Sequence, residues 1–390
     1  MINPAALRMA DIPPSNIREV FDEVTRLRNA GREVVPFHIG QPDFDTPAHI
    51  KQAAKQALDD GLVQYTANAG LPELRRAIAD KLAADNGITV DADKGVIATV
   101  GANEAILLAM LAYLNPGDEV LIPDPMWLHY LYCARIAGAS VASLPLRPED
   151  GFLPDPDEIR RRITPRTRML VINSPHNPTG VVYPRALLQD IARIVAEHGL
   201  LLVSDEIYEK ILFDGSEHVS PASFDGMSDF VLTVNGFSKA YAMTGWRLGY
   251  IAGTPELLRP VLRVHQYTTV CATSFAQAGA VAALRGSQDA LAHMVAEFDR
   301  RRQALVAGFQ SIPGCSLVMP QGAFYAFPRL PDGTNSAQVS RDLLQGSGVA
   351  VVPGAAFGEY GEGYVRIAYS CSLPAVERGV ALMRDYFSAV

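Results

Sequence analysis

Asn235-Gly236-Phe237-Ser238-Lys239-Ala240-Tyr241-Ala242-Met243-Thr244-Gly245-Trp246-Arg247-Leu248-Gly249-Tyr250 follows an apolar run, Phe230-Val231-Leu232-Thr233-Val234. That run predicts a buried parallel strand, and Asn235-Gly236 is a turn signal that ends it. Lys239 then comes with small or apolar neighbours and no carboxylate close by in sequence. A lysine in a crowded, partly desolvated turn has a lowered pKa, and its amine can act as nucleophile and base. Arg247 offers a planar fork suited to a phosphate. Taken singly, each is an ordinary surface charge beside a loop. Together they fit a site for pyridoxal phosphate (PLP), with an imine-forming lysine and a cation for the cofactor's phosphate.

The full pattern decides between these readings. Gly236-Phe237-Ser238-Lys239, then Ala242-Met243, Gly245 and Arg247-Leu248-Gly249, resembles the lysine-attachment segment of the class I/II aminotransferases, PLP enzymes of the aspartate-aminotransferase fold (fold type I). The resemblance runs from about Ile39 to about Ser370. It departs at Gly236, where many relatives carry a serine hydroxyl for the phosphate; Ser238 is the expected substitute.

Further motifs flank this segment. Upstream, Leu200–Val203 predicts a strand, followed by Ser204-Asp205-Glu206-Ile207-Tyr208. Asp205 falls at the carboxyl end of a buried strand, where doubly wound sheets bind ligands, and a buried acid needs a partner. The resemblance makes that partner the pyridine nitrogen of PLP, gives Tyr208 the cofactor's O3′, and leaves Glu206 structural. Thr167–Asn173 predicts another strand, ending in Ser174-Pro175-His176-Asn177-Pro178-Thr179-Gly180. This H-N-P-T-G run matches the family closely, which implies that Asn177 meets both O3′ and the substrate carboxylate. His176 reads as a supporting residue.

Farther upstream, Asp118–Ile122 predicts a strand before Pro123-Asp124-Pro125-Met126-Trp127. In relatives the aromatic here stacks on the pyridine ring, a role for Trp127. Val96–Val100 is a predicted strand, and Gly101-Ala102-Asn103-Glu104 opens a helix over 105–114. Free N–H groups at such a start bind phosphate, and the resemblance places the phosphate loop here. Tyr65-Thr66-Ala67-Asn68-Ala69-Gly70-Leu71-Pro72-Glu73-Leu74-Arg75 resembles a segment whose tyrosine reaches the cofactor phosphate of the other subunit. That implies a homodimer with shared active sites. Gly40, in Gly40-Gln41-Pro42-Asp43-Phe44-Asp45-Thr46-Pro47, matches a glycine whose backbone lies near the substrate's α-carboxylate, and Thr46-Pro47 reads as N-cap and first residue of a helix. Downstream, Val365-Arg366-Ile367-Ala368-Tyr369-Ser370 alternates a charge with apolar residues. Arg366 is either a solvated edge residue or an inward carboxylate clamp; the resemblance implies the clamp.

Composition agrees with a large enzyme. The 390 residues carry a net charge of −8 with no block of like charge, which argues against nucleic acid or an anionic membrane as main partner. Cys133, Cys271, Cys315 and Cys371 are scattered without a C-x-x-C, so neither a zinc site nor a disulfide framework is expected, and a cytoplasmic setting is the default. Residues 1–20 lack the apolar core of a signal peptide, and the longest apolar stretch, near 106–114, is too short to span a bilayer.

The fold expected is α/β: a large PLP-binding domain over 46–285 with a mostly parallel sheet flanked by helices, and a smaller α/β domain from 1–45 and 286–390. Helices are expected over 15–30, 48–60, 72–82, 255–266, 275–285, 288–309 and 337–345, and strands of a second sheet over 314–318 and 323–327. The activity implied is transfer of an amino group between an L-amino acid and a 2-oxo acid, with Lys239 as proton carrier and no metal. No second cation for a side-chain carboxylate stands out. A carbon–sulfur β-lyase shares Lys239, Asp205 and Tyr208 and remains open. A PLP-fold regulator would need a DNA-binding extension for which the short N-terminus leaves no room.

Overall fold

The computed structural model describes residues 5–14 and 16–389. The remainder of the expected N-terminal arm and first helix (1–4 and 15), and residue 390, lie outside the described residues. Seven strands make the main sheet: β1 (Val96–Thr99), β2 (Glu119–Asp124), β3 (Ser140–Pro145), β4 (Thr167–Asn173), β5 (Leu201–Asp205), β6 (Val231–Gly236) and β7 (Gly249–Ala252). Their order is β1-β7-β6-β5-β4-β2-β3. β3, β2, β4, β5 and β6 run parallel, while β7 is antiparallel to both β6 and β1.

The pleat explains the packing. Val120, Val171 and Val203 face the helix Ala102–Tyr113, meeting Ile106, Ala109 and Met110. The alternate residues Leu121, Leu170, Ile172 and Leu202 face the helix Arg185–His198, meeting Leu188, Ile191 and Val195. Both faces are therefore covered, so these strands read as continuous apolar runs. Each such buried side chain contributes about 1.5–3 kcal/mol.

A second sheet follows: β8 (Tyr325–Ala326), β9 (Val352–Pro353) and β10 (Val365–Ala368), in the order β8-β10-β9. The helices Asp289–Phe309 and Leu373–Ala389 cover it, through Phe298, Leu305, Val376 and Met383. The N-terminal segment joins here, as Val35 bridges to Val349.

Several boundaries differ from expectation. β6 ends at Asn235-Gly236 as expected, but both residues are still paired in the ladder, opposite Tyr250 and Gly249. The two glycines allow this, because a Cβ on Gly236 would lie 3.1 Å from Gly249 Cα. The helix expected over 105–114 begins at Ala102. Arg247 precedes β7 with φ of +51°. Thr46 is not an N-cap. Its hydroxyl donates to Ala242 O at 2.7 Å and accepts from Trp246 Nε1 at 3.1 Å, tying the entry segment to the lysine loop. Residues 314–318 form no strand of the second sheet; Ser316 only bridges to Arg329. The helices His129–Ile136, Pro156–Arg162, Arg185–His198 and Leu373–Ala389, and strand β3, went unforeseen.

Candidate active site

The carboxyl ends of β2, β4, β5 and β6 open into a cavity of about 270 Å³, closed from the other side by the second sheet. Asp205, the last residue of β5, has its carboxylate at the cavity wall and is only 4% exposed. Tyr130 Oη donates to its Oδ2 at 2.7 Å and Ile207 N–H to its Oδ1 at 3.2 Å. Burial pushes this carboxyl up to about 6, although both donors and Lys239 favour the anion. A carboxylate so placed is short of a cation.

Lys239 sits across the cavity, with Nζ donating to Gly40 O at 2.7 Å and lying 5.8 Å from the ring centroids of Tyr208 and Phe324. Burial, then the charges of Arg366 and Arg247, push the amine down to about 8, so a useful fraction is neutral near pH 8. Tyr208 shares a hydrogen bond with Tyr325 Oη at 2.9 Å. Burial and that neighbour hold the Tyr208 phenol well above its ordinary range, so it is a donor at neutral pH.

The amino end of the helix Ala102–Tyr113 faces the same cavity. Its first N–H groups, those of Ala102 and Asn103, have no acceptor inside the helix. Gly101 has φ of +78°, and a Cβ there would stand 2.7 Å from Arg247 Nη2; one on Gly249 would stand 2.6 Å from Ala102 N. Three small residues and an arginine thus shape a cup for an anion. Ser238 and Thr244 line its rim.

Arg366, on β10, is not a solvated edge residue: it is 2% exposed, between the rings of Tyr325 at 4.8 Å and Phe357 at 5.0 Å. Its Nη2 donates to His38 O at 2.9 Å, its Nη1 lies 3.4 Å from Asn177 Oδ1, and its Nε has no partner among the described residues. Asn177 is fixed in turn through its N–H to Asn173 Oδ1, while Asn173 Nδ2 donates to Asp205 O. His176 hydrogen-bonds Thr179 and stays out of the cavity lining. Gly40 lies against Tyr325, where a Cβ would come 2.5 Å from the phenol oxygen.

Gly40, Ala102, Asn103, Trp127, Asn177, Asp205, Tyr208, Ser238, Lys239, Arg247 and Arg366 are therefore gathered in one cavity, and Gly101 shapes its anion cup. Tyr65 is not among them. It is 86% exposed on a loop tethered by Asn68 Nδ2 to Val270 O and by Thr66 to Gln277, near the exposed Val270. Tyr130, Tyr325, His38 and Phe21 also line the cavity and were not singled out from sequence. Glu206 turns away from it, into a buried cluster with Ser204, Ser220, Asn86 and His218, beside the Lys81–Glu209 ion pair.

The chemistry of the lining suits PLP: an under-compensated buried carboxylate, a lysine with a depressed pKa, an anion cup and an aromatic wall at Trp127. The profile of the family described as aminotransferase class I and II matches residues 32–382. The chain is 43% identical to an aspartate aminotransferase of Pyrococcus abyssi, covering 96% of each chain. It is 41% identical to aromatic-amino-acid aminotransferase 2 of Thermococcus litoralis, again over 96% of each. The solved aspartate aminotransferase of Thermus thermophilus with maleate superposes with a TM-score of 0.94, at 39% identity, over 98% of this chain and 100% of the other.

Proposed function

The chain belongs to the class I and II aminotransferases and is a transaminase; from that premise we propose that it binds PLP in this cavity and exchanges an amino group between an L-amino acid and a 2-oxo acid as a homodimer. The observation that carries the reading is the approach of Lys239, Asp205 and the 101–103 cup to one cavity. When bound, PLP supplies an electron sink that stabilises negative charge on the donor's Cα.

The chain's own groups do the rest. Asp205 would meet the ring nitrogen and favour its protonated form. Ala102 and Asn103 N–H, Ser238 and Arg247 would hold the phosphate, with Tyr65 of one protomer serving the other. Trp127 would supply the aromatic wall for the ring, and Tyr208 and Asn177 would serve as donors to its phenolic oxygen. Arg366, whose guanidinium lines the cavity, is the group for the donor's α-carboxylate, beside Gly40 and Asn177. Lys239, neutral above its depressed pKa, would be the base that takes the proton from the donor's Cα.

The cations among the described lining residues are Lys239, Arg247 and Arg366, each already assigned. Apart from the Asp205 carboxylate, the rest of the lining is aromatic or uncharged: burial drives His38 down to about 3, so it carries no charge at neutral pH. This favours neutral and aromatic donors over dicarboxylic ones. We also assign the main sheet and its helices (46–285) to a cofactor domain and the remainder (1–45 and 286–390) to a substrate-gripping one. No helix among the described residues is long and apolar enough to cross a membrane; the cytoplasm is the proposed location.

Lys239→Ala tests the reading. Turnover and the visible absorbance of the bound cofactor should both vanish, while the wild-type rate of cofactor capture should climb as pH rises through about 8. An active, yellow variant would refute it.

A further inference from the structure

Glu104 lies in the first turn of the helix that forms the cup, yet its carboxylate points away from the cavity lining. Its Oε2 accepts from Val100 N–H at 2.5 Å, fixing the residue just before Gly101. Its Oε1 accepts from the Thr269 hydroxyl and, at 3.3 Å, from the fully buried His265 Nδ1. Burial opposes the charge, but these donors hold the carboxyl below the usual range.

Thr269 belongs to a short exposed segment after the helix Pro255–Thr268. Both Thr269 and Val270 N–H turn back onto His265 O. Val270 has φ of +71°, a costly conformation for a β-branched residue. Its carbonyl accepts from Asn68 Nδ2 at 2.8 Å, and Asn68 belongs to the loop that carries Tyr65. Tyr65 and Tyr267 are each 86% exposed and Val270 41%. A path of three hydrogen bonds and one peptide link, Val270 to Thr269, thus runs from this surface, Asn68–Val270–Thr269–Glu104–Val100, to the backbone of the cup.

We propose that Glu104 and Thr269 are positioning residues for the anion cup, and that they couple its occupancy to the contact of a second copy of the chain at the Tyr65–Val270 surface. The claim rests on the reading that residues 101–103 take the cofactor's phosphate and that the partner is a second protomer. Docking of the partner holds the strained Val270 turn in place. The turn holds Glu104, and Glu104 holds Val100 so that Ala102 and Asn103 N–H converge. By reciprocity, filling the cup favours association by the same factor.

The direct route through Tyr65 must be removed to see this one. Sedimentation equilibrium of the apo chain, with and without PLP, measures the factor by which PLP tightens self-association. In Tyr65→Phe a residual factor of about ten is expected. It should fall to less than about two in Tyr65→Phe/Thr269→Val, which keeps shape and loses the hydroxyl, and return in Tyr65→Phe/Thr269→Ser. Fluorescence titration should show PLP affinity changing in parallel. The proposal is overturned if Tyr65→Phe alone abolishes the factor, if the Val variant retains it, or if the Ser variant fails to restore it. Failure of the wild-type chain to take up PLP would instead overturn the cofactor reading.

Discussion

Replacing Arg366 by lysine isolates the grip on the substrate carboxylate from the charge that accompanies it. The guanidinium is held by His38 O at 2.9 Å and stacked between Tyr325 and Phe357, with Nε left unpartnered. The guanidinium lines the cavity, and its planar fork is suited to two parallel hydrogen bonds to a carboxylate. Each charge-assisted bond is worth about 1.5–3 kcal/mol. A lysine at 366 keeps the charge but offers one bond where the fork offers two, and its point charge has no flat face for the rings. The lost stacking weakens free and bound states alike, so it cancels in the kinetics. The net loss is about 2–3 kcal/mol, or roughly 30- to 150-fold in kcat/KM for an amino acid donor. Rapid-mixing absorbance of the donor half-reaction measures it. The matched amine lacking the α-carboxylate is the control and should be slowed less than about three-fold, since it has nothing for the fork to hold. Equal loss with both substrates would refute the assignment, because Arg366 would then be supporting the cavity and not reading the carboxylate.

Asp205→Asn should cripple proton transfer yet stabilise the cofactor-free chain. A carboxyl raised from 3.8 to about 6 loses stability as pH climbs through that window, so at pH 8 the Asn variant should gain on the order of 3 kcal/mol and below pH 4 nothing, as urea titration would show. For His218, burial pulls the imidazole down, but Glu206 and Glu209 outweigh it and hold it above its ordinary value. Its contribution is complete below about pH 6.5 and fades as pH passes the folded value. His218→Gln should therefore be less stable than wild type by more at pH 5.5 than at pH 9; a gap independent of pH would contradict this. Gly249→Ala would drive a methyl to 2.6 Å from Ala102 N, and PLP affinity measured by dialysis should fall at least about ten-fold as that donor is displaced. Unchanged affinity would remove Ala102 from the cup.

The residues that sequence revealed are those whose roles are local. Lys239, Asn177 and Asp205 each stand at the end of an apolar run, where a parallel sheet delivers side chains to a common edge. Tyr130 and Tyr325 left no such mark. Tyr130 reaches Asp205 from a helix 75 positions away, and Tyr325 meets Tyr208 across 117. Only the packed chain brings those hydroxyls together. Thr46 misled for a related reason: a good N-cap residue by type, it spends its hydroxyl on Ala242 and Trp246, and tertiary bonds override the local preference. Residues 314–318 carry apolar character suited to a strand but find no partner edge beyond Arg329.

The glycine pair that locks β6 to β7 has a mechanical sequel. Lys239 and Arg247 hang from one closed hairpin whose two legs are pinned where Gly236 faces Gly249. That hairpin works as a calliper: the amine and the guanidinium hang from the dozen residues between the two glycines, and the entry segment braces it through Gly40 and Thr46. Arg366 hangs from the other sheet. The second sheet can therefore drift, tilt or be retuned by mutation to suit a bulkier or slimmer substrate while the jaws that would grasp the two ends of the cofactor keep their gauge.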